Sequence, residues 1–288
     1  MSRVLIIGIG GFSGTYMQEY IKNKTLYNSY DFFGIGLKKV CRSDFIKYKK
    51  IDVTKEKDLE DFICECRPDY IINFCGEYSN VSFEQMKILN LFVTNNIINI
   101  VLKKGITIKK LLVIGSAAEY GTTNHFPIQE NKTLNPNGDY GATKKMQTEA
   151  ALEAFQKYNF PVVIARTFNL HGNGISENLL LGKYEKLIQN ALDGSEISLS
   201  NSESIRDFIH IKDAVEMYWN ILIYGTSGEV YNVCTGKGKR VIEMIEKLVL
   251  LSGKKIKIIC KENSIADKEI KKSIGDCNKI NNLMSAVK

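Results

Sequence analysis

The sequence predicts an α/β fold, a doubly wound parallel sheet followed by a smaller C-terminal lobe. Three observations carry that expectation. An apolar run at the N-terminus enters a glycine-rich turn and then a helical pattern. Strand-like and helical patterns then alternate as far as Phe168, and beyond Phe168 the alternation stops. Alternation of this kind builds βαβ units with parallel strands and right-handed crossovers.

The first element is Val4–Ile7, β-branched enough for a buried strand. Apolar residues at Phe12, Tyr16, Met17, Tyr20 and Ile21 mark one face of a helix. Between them lie Gly8, Gly11 and Gly14, spaced GxxGxxG, with Gly10 in addition. Glycine lets a ligand or another backbone come close, and a helix N-terminus favours an anion. Together these features describe a dinucleotide pyrophosphate site of the Rossmann type; a bare βα turn is the alternative. Further strands are expected at Asp31–Leu37, Tyr70–Phe74, Lys110–Ile114 and Val162–Thr167. Helices are expected at Lys55–Cys66, Ser82–Lys104 and Tyr140–Tyr158. Apolar strands such as "YIINF" and "LLVIG" suit a sheet covered on both faces.

After the loop-rich "NLHGNGISEN" come a helix at Leu179–Leu192, a strand into a helix at Phe208–Ile223, the short strand "EVYNV", a helix at Val241–Leu251 and "KIKIIC". The expected division is a Rossmann domain over 1–167 and a lobe over 168–288 with segments returning to the sheet. That lobe would close over the C-terminal edge of the sheet, where open α/β sheets bind ligands.

With 288 residues, 44% of them hydrophobic, the chain can bury a sizeable core. Met1-Ser2-Arg3 leads straight into the first strand, leaving no room for a signal peptide. No apolar run approaches the roughly 18 residues of a membrane span. The expected location is cytoplasmic, with no membrane partner. The seven cysteines form no CxxC pair and fit free thiols in a reducing compartment. The three histidines lie far apart, so no metal site is expected. The net charge is +7, and residues 254–288 hold nine Lys/Arg against four Asp/Glu. The basicity is local and lacks interleaved aromatics, which argues against nucleic acid as a partner.

"YGATK" places Tyr140 and Lys144 four residues apart, on one face of a helix. A cation beside a phenol favours phenolate, so the Tyr140 pKa is expected to fall from about 10 towards working pH. Such a tyrosine can pass a proton. In "LLVIGSAAEYG", Ser116 follows the end of an apolar strand, where its hydroxyl could hold a carbonyl or alkoxide oxygen beside Tyr140.

At this point the sequence resembles the extended short-chain dehydrogenase/reductases that act on nucleotide sugars. The resemblance runs through GxxGxxG at Gly8–Gly14, "DVT" at Asp52–Thr54, "PDYIINFCG" at Pro68–Gly76 and Asn90 in "LNLFVTNN". It continues through "SAAEYG" at Ser116–Gly121, "PNGDYGATK" ending at Lys144, "ARTFNLHG" around Asn169, "RDFIHIKD" at Arg206–Asp213 and "GEVYNVCTG" at Gly228–Gly236. It implies a catalytic triad of Ser116, Tyr140 and Lys144. It implies cofactor contacts from Gly8, Gly11, Phe12, Ser13 and Gly14, from Asp52 (at the adenine) and Val53, from Phe74, Cys75 and Gly76, and from Asn90, Tyr140 and Lys144. Ser116, Asn169 and Arg206 would contact the sugar nucleotide, with Arg206 near its phosphates, where a bidentate guanidinium suits. A homodimer through the helices over 82–104 and 140–158 is typical of the family.

Two departures narrow the chemistry. Dehydrating members place an acid two residues after the catalytic Ser/Thr, but Ala117 and Ala118 follow Ser116, so a 4,6-dehydratase is not expected. Glu119 comes one residue too late and reads as a loop carboxylate. NAD-preferring members place an acid at the end of the second strand. Here that position is Gly36, and Lys38, Lys39 and Arg42 follow, which favours the 2′-phosphate of NADP. Lysines that merely solvate a loop are the alternative. The pattern most resembles the NADPH-dependent 4-reductases of nucleotide-linked 4-keto-6-deoxyhexoses, such as the GDP-4-keto-6-deoxymannose reductases. A nucleotide-sugar 4-epimerase keeping NAD bound is the second reading, and a non-catalytic NADP sensor the third.

Overall fold

The computed structural model describes residues 1–38, 44–78, 81–261 and 270–287. The chain opens with β1 (Ser2–Ile7), α1 (Phe12–Asn23), β2 (Tyr30–Gly36) and β3 (Ile46–Lys50). It continues with α2 (Glu56–Cys66), β4 (Tyr70–Asn73), α3 (Phe83–Lys87) and α4 (Val93–Lys103). Then come β5 (Lys110–Ser116), α5 (Asp139–Tyr158) and β6 (Val162–Thr167).

Together with β10 (Val230–Val233), these strands form a seven-stranded sheet in the order β10-β6-β5-β4-β1-β2-β3. Each adjacent pair is parallel. Alternate residues of each central strand serve opposite cores, because side chains alternate across a pleated strand. Leu5, Leu111, Val113, Val162 and Ile164 pack under α2, α4 and α5 with Leu59, Ile97 and Ala151. Val4, Ile6, Leu112, Val163 and Ala165 face α1 and α7 (Ile211–Tyr224) with Met17, Ile21, Ala214 and Trp219. This is the Rossmann-type doubly wound sheet, and its near-continuous burial follows from having helices on both faces.

Two elements depart from the expected pattern. The edge strand β3, "IKYKK", carries the exposed Lys47, Lys49 and Lys50, so its sequence looks like a polar loop although it pairs with β2 along its length. The helical stretch expected over 82–104 is interrupted by a π turn at Ile88–Phe92. Ser82 opens that stretch through a capping box with Gln85.

The remaining elements are β7 (Asn169–His171), α6 (Leu180–Asn190), β8 (Glu196–Leu199), β9 (Ile205–His210), β11 (Gly238–Arg240), α8 (Val241–Ser252), β12 (Lys257–Cys260), β13 (Lys272–Ser273) and α9 (Asn278–Ala286). Strand β9 pairs with β7, β11 and β13, and β8 pairs with β12. A small core of Leu181, Tyr184, Leu199, Phe208 and Ile245 holds this lobe. Its strands run two to six residues and join segments far apart in sequence. Among the described residues no helix is long and apolar enough to cross a membrane, and no group of three or more His, Cys, Asp or Glu could hold a metal ion.

Candidate active site

A cleft of about 1090 Å³ lies along the C-terminal ends of the sheet strands, between the sheet and the lobe. Its first wall is the glycine turn. Gly8 has φ +79°, a conformation that side-chain-bearing residues resist. Gly14 lies so close to the preceding turn that an added Cβ would stand 2.3 Å from the Ile9 carbonyl oxygen. Gly8, Gly11, Phe12, Ser13 and Gly14 all line the cleft. The α1 N-terminus has no side-chain cap and no acid in its first turn. Its N–H groups and positive end are thus left for an anion, which fits the pyrophosphate of a dinucleotide.

The second wall is the β4 end, where Phe74, Cys75 and Gly76 also face the cleft. Lys38 joins them from the β2 end, and Gly36, the last residue of β2, puts no carboxylate there. Lys39 and Arg42 lie outside the described residues. Three expected cofactor contacts are absent from this lining. Asp52 is turned to Thr54, accepting from its N–H at 3.1 Å and its hydroxyl at 2.7 Å. Val53 is buried in the core beneath α2. Asn90, swung inward by the π turn, donates to the Glu77 carbonyl at 2.8 Å and to Thr143 Oγ1 at 2.9 Å, and accepts from Glu77 N–H at 2.8 Å. Its amide is consumed in tying the β4 loop to α5, and it supports the wall without facing the cleft.

Ser116, Tyr140 and Lys144 converge at the centre of this cleft. Ser116 ends β5, and Tyr140 and Lys144 occupy successive turns at the start of α5. The Ser116 hydroxyl is within hydrogen-bonding reach of the Tyr140 phenol. Lys144 is buried and donates to Gln147 Oε1 at 2.6 Å. Gln147 donates onward to Thr94 Oγ1 at 2.7 Å, and Asn73 donates to the same hydroxyl at 3.0 Å. This buried chain holds the Lys144 Nζ from behind.

The electrostatics differ from the sequence expectation. Burial pushes the Tyr140 phenol up to about 12, opposed by the Ser116 hydroxyl and reinforced by the Glu119 carboxylate. Burial likewise pushes Lys144 down to about 8. Desolvation disfavours the charged form of each group, and it is the largest influence on both. Tyr140 is therefore held as a neutral phenol, the form that donates a proton.

Asn169 and Arg206 face the cleft from the lobe side. The Asn169 amide donates to the Asp207 carbonyl at 3.1 Å, and an Arg206 Nη1 donates to the Ile205 carbonyl at 3.0 Å. Sequence reading missed two tyrosines. Tyr78 packs edge-on against Tyr140 with ring centres 6.3 Å apart. Tyr218, from α7, shares a 2.9 Å hydrogen bond with Thr167 at the floor. Neither belongs to a motif, and Tyr218 sits among the core residues of an amphipathic helix, so only the fold brings it to the cleft. Glu119 differs as well. It is no surface-loop carboxylate but fully buried in a 3₁₀ turn.

Known proteins resemble this chain along most of its length. GDP-6-deoxy-D-mannose reductase of Pseudomonas aeruginosa is 23% identical over 266 residues, spanning 89% of this chain and 82% of that protein. UDP-glucose 4-epimerase 2 of Oryza sativa is 26% identical over 253 residues, spanning 78% and 61%. The solved structure of RMD from Pseudomonas aeruginosa complexed with NADPH has the same fold, with a TM-score of 0.80 at 21% identity over 99% of this chain and 93% of that one. Residues 4–234, from the first strand through the glycine turn and the Ser116–Tyr140–Lys144 cluster to the end of β10, match one family along their whole length, and the chain belongs to the NAD dependent epimerase/dehydratase family.

Proposed function

We propose that this protein reduces the C4 keto group of a nucleotide-linked 4-keto-6-deoxyhexose, with NADPH as reductant. The observation that carries this reading is that Tyr140 and Ser116 share the cleft while the turn that follows Ser116 sends no acid into it; the carboxylates that do line the cleft, Glu77, Glu177 and Glu185, come from other segments. Ala117 and Ala118 cannot move a proton, and Glu119 is bound to Arg166 at 2.9 Å and excluded from the cleft. Elimination of water across a sugar ring needs such an acid; reduction of a ketone does not. Gly36 and Lys38 at the β2 end support NADP over NAD, because a 2′-phosphate meets no carboxylate there and gains a cation. The similarity to a GDP-6-deoxy-D-mannose reductase supports the same chemistry.

Bound NADPH supplies the two electrons of the reduction. Ser116 donates a hydrogen bond to the C4 oxygen, and Tyr140 gives that oxygen its proton. Lys144, held by Gln147, is placed for the cofactor ribose. Stabilising the developing alkoxide from two fixed donors supplies much of the rate. Asn169 and Arg206 orient the nucleotide sugar, with Arg206 on its phosphates. Ile88, Phe92, Leu102 and Met146 stay exposed on the α3–α4 and α5 faces, which supports pairing of two copies there, read by sedimentation.

The deciding assay follows NADPH absorbance with GDP-, dTDP-, UDP- and CDP-linked 4-keto-6-deoxyhexoses, with Tyr140→Phe alongside. Oxidation with one substrate, lost in the variant, identifies the reaction and the base together. No oxidation across the panel rejects the reductase. The small residues after Ser116 and the similarity to a UDP-glucose 4-epimerase favour epimerisation as the second reading, for which purified protein would carry tightly held NAD.

A further inference from the structure

Glu119 and Arg166 are an ion pair with 0% and 2% of their side chains exposed. Buried charges are costly unless paired and fully hydrogen-bonded. Here both carboxylate oxygens are used. Oε2 accepts from Arg166 Nε at 2.9 Å, and Oε1 accepts from the backbone N–H of Ser116 at 2.7 Å, a short charge-assisted bond. Arg166 is fixed in turn. It stands opposite Gly115 in the β5–β6 register, and its Nη1 donates to the Tyr120 hydroxyl at 3.0 Å. That hydroxyl donates to Asn232 Oδ1 on β10 at 2.7 Å, and the guanidinium lies 4.6 Å from the centre of the Tyr120 ring. Gly115 makes the room: a Cβ there would stand 2.6 Å from Glu119 Oε1.

We propose that Glu119 is a positioning residue: clamped by Arg166, it fixes the backbone of Ser116 and so aims the Ser116 hydroxyl at the oxygen that Tyr140 protonates. The inference rests on the reading of Ser116, Tyr140 and Lys144 as the reacting groups. The Ser116 hydroxyl oxygen also accepts from the Ala118 N–H at 3.2 Å, which occupies a lone pair and leaves the hydroxyl proton for a ligand. Backbone and side chain of Ser116 are thus both held by the turn that Glu119 closes. Glu119 itself does not line the cleft, so it acts through its neighbours. Its charge also reaches the other two members of the cluster, raising the proton affinity of both Tyr140 and Lys144.

The test is a double-mutant cycle on NADPH-dependent reduction with Ser116→Ala, Glu119→Ala and the combination. Glu119→Ala is expected to lower kcat about 100-fold, the size of losing one fixed donor to an oxyanion. KM for the keto sugar and NADPH affinity should stay within about threefold. In the Ser116→Ala background the same change should cost about twofold or less. Glu119→Gln keeps an acceptor for the Ser116 N–H and should recover about tenfold of the loss. Two results overturn the proposal: a Glu119→Ala protein that binds NADPH normally and turns over within about threefold of wild type, or losses that simply multiply in the double variant. If Glu119→Ala does not fold, Glu119→Gln takes its place in the cycle, with a loss of about tenfold expected alone and none in the Ser116→Ala background. Failure of the wild type to reduce any keto sugar rejects the reductase reading by itself. The positioning role is then read from hydrogen exchange at the Ser116 amide, expected to be about tenfold or more slower in wild type than in Glu119→Ala, which removes the acceptor; equal exchange overturns it.

Discussion

The two halves of this molecule meet at one cleft but are built on different plans. The sheet half buries its central strands on both faces, and β6 is buried at every residue. The lobe uses short strands with alternating or partial burial, such as "EISL" in β8 and the partly exposed "KIIC" of β12. The sheet half holds its candidate catalytic residues from behind: Lys144 through Gln147 and Thr94, Ser116 through Glu119 and Arg166. The lobe side presents Asn169 and Arg206, whose named anchors are backbone carbonyls next to them or on the paired strand. Under the proposed function, chemistry would rest on the sheet half, and recognition of the sugar nucleotide on the half assembled from short pieces.

If that division is right, changes on the two sides should separate kcat from KM. Tyr140→Phe is expected to lower kcat about 10²–10⁴-fold with NADPH affinity kept, read by steady-state kinetics and cofactor fluorescence. Arg206→Ala, on the lobe side, should raise KM for the nucleotide sugar about 10–100-fold while kcat moves little, as expected for losing one charge-assisted contact. Equal effects of both variants on kcat would erase the distinction. Leu112→Ala, at 0% exposure in the middle of the sheet, should cost about 2–5 kcal/mol in denaturant unfolding.

The pH dependence of stability sharpens the comparison, because Lys144 belongs wholly to the sheet half. Its folded pKa lies near 8, below the value of 10.5 for a free lysine. As pH falls from about 10 to 8 the unfolded chain takes up this proton first, so folded stability is lost across that window and levels off below it. The full cost is on the order of 3 kcal/mol, and Lys144→Met should flatten the slope between pH 8 and 10 in urea titrations. Tyr140 acts in the opposite sense only above pH 10, where its raised pKa disfavours the ionised native state. The smallest expected effect is at the cofactor end. Gly36→Asp should shift preference from NADPH towards NADH by about tenfold, measured as the ratio of kcat/KM for the two.

Much of the sheet half was legible in the sequence. Apolar runs such as "LLVIG" announce doubly covered strands, and GxxGxxG between a strand and a helix marks the anion-facing turn. Ser116, Tyr140 and Lys144 were legible as a group because a strand end and a helical i,i+4 pair have fixed directions. What remained hidden depends on contacts across long separations. Asn90 lies buried in a π turn that no 3.6-residue period announces, bonded to Glu77 and Thr143. Tyr78 and Tyr218 reach the cleft only once the loops and α7 are packed. The sign of the Tyr140 shift depends on how deeply the phenol is buried, which helix spacing does not encode.

Strand β10 has a further consequence for how the chain is made. It is encoded midway through the lobe, after β7, α6, β8 and β9, yet it completes the central sheet beside β6 and carries the Asn232 that receives the Tyr120 hydroxyl. A nascent chain paused after residue 167 would already hold the glycine turn, Ser116, Tyr140 and Lys144. It would leave one edge of its sheet unpaired and the Arg166–Tyr120 contact without its far end. Nascent chains of that length would therefore carry the candidate catalytic residues while still exposing a sticky strand edge, and the emergence of β10, not the appearance of the site, completes the native sheet.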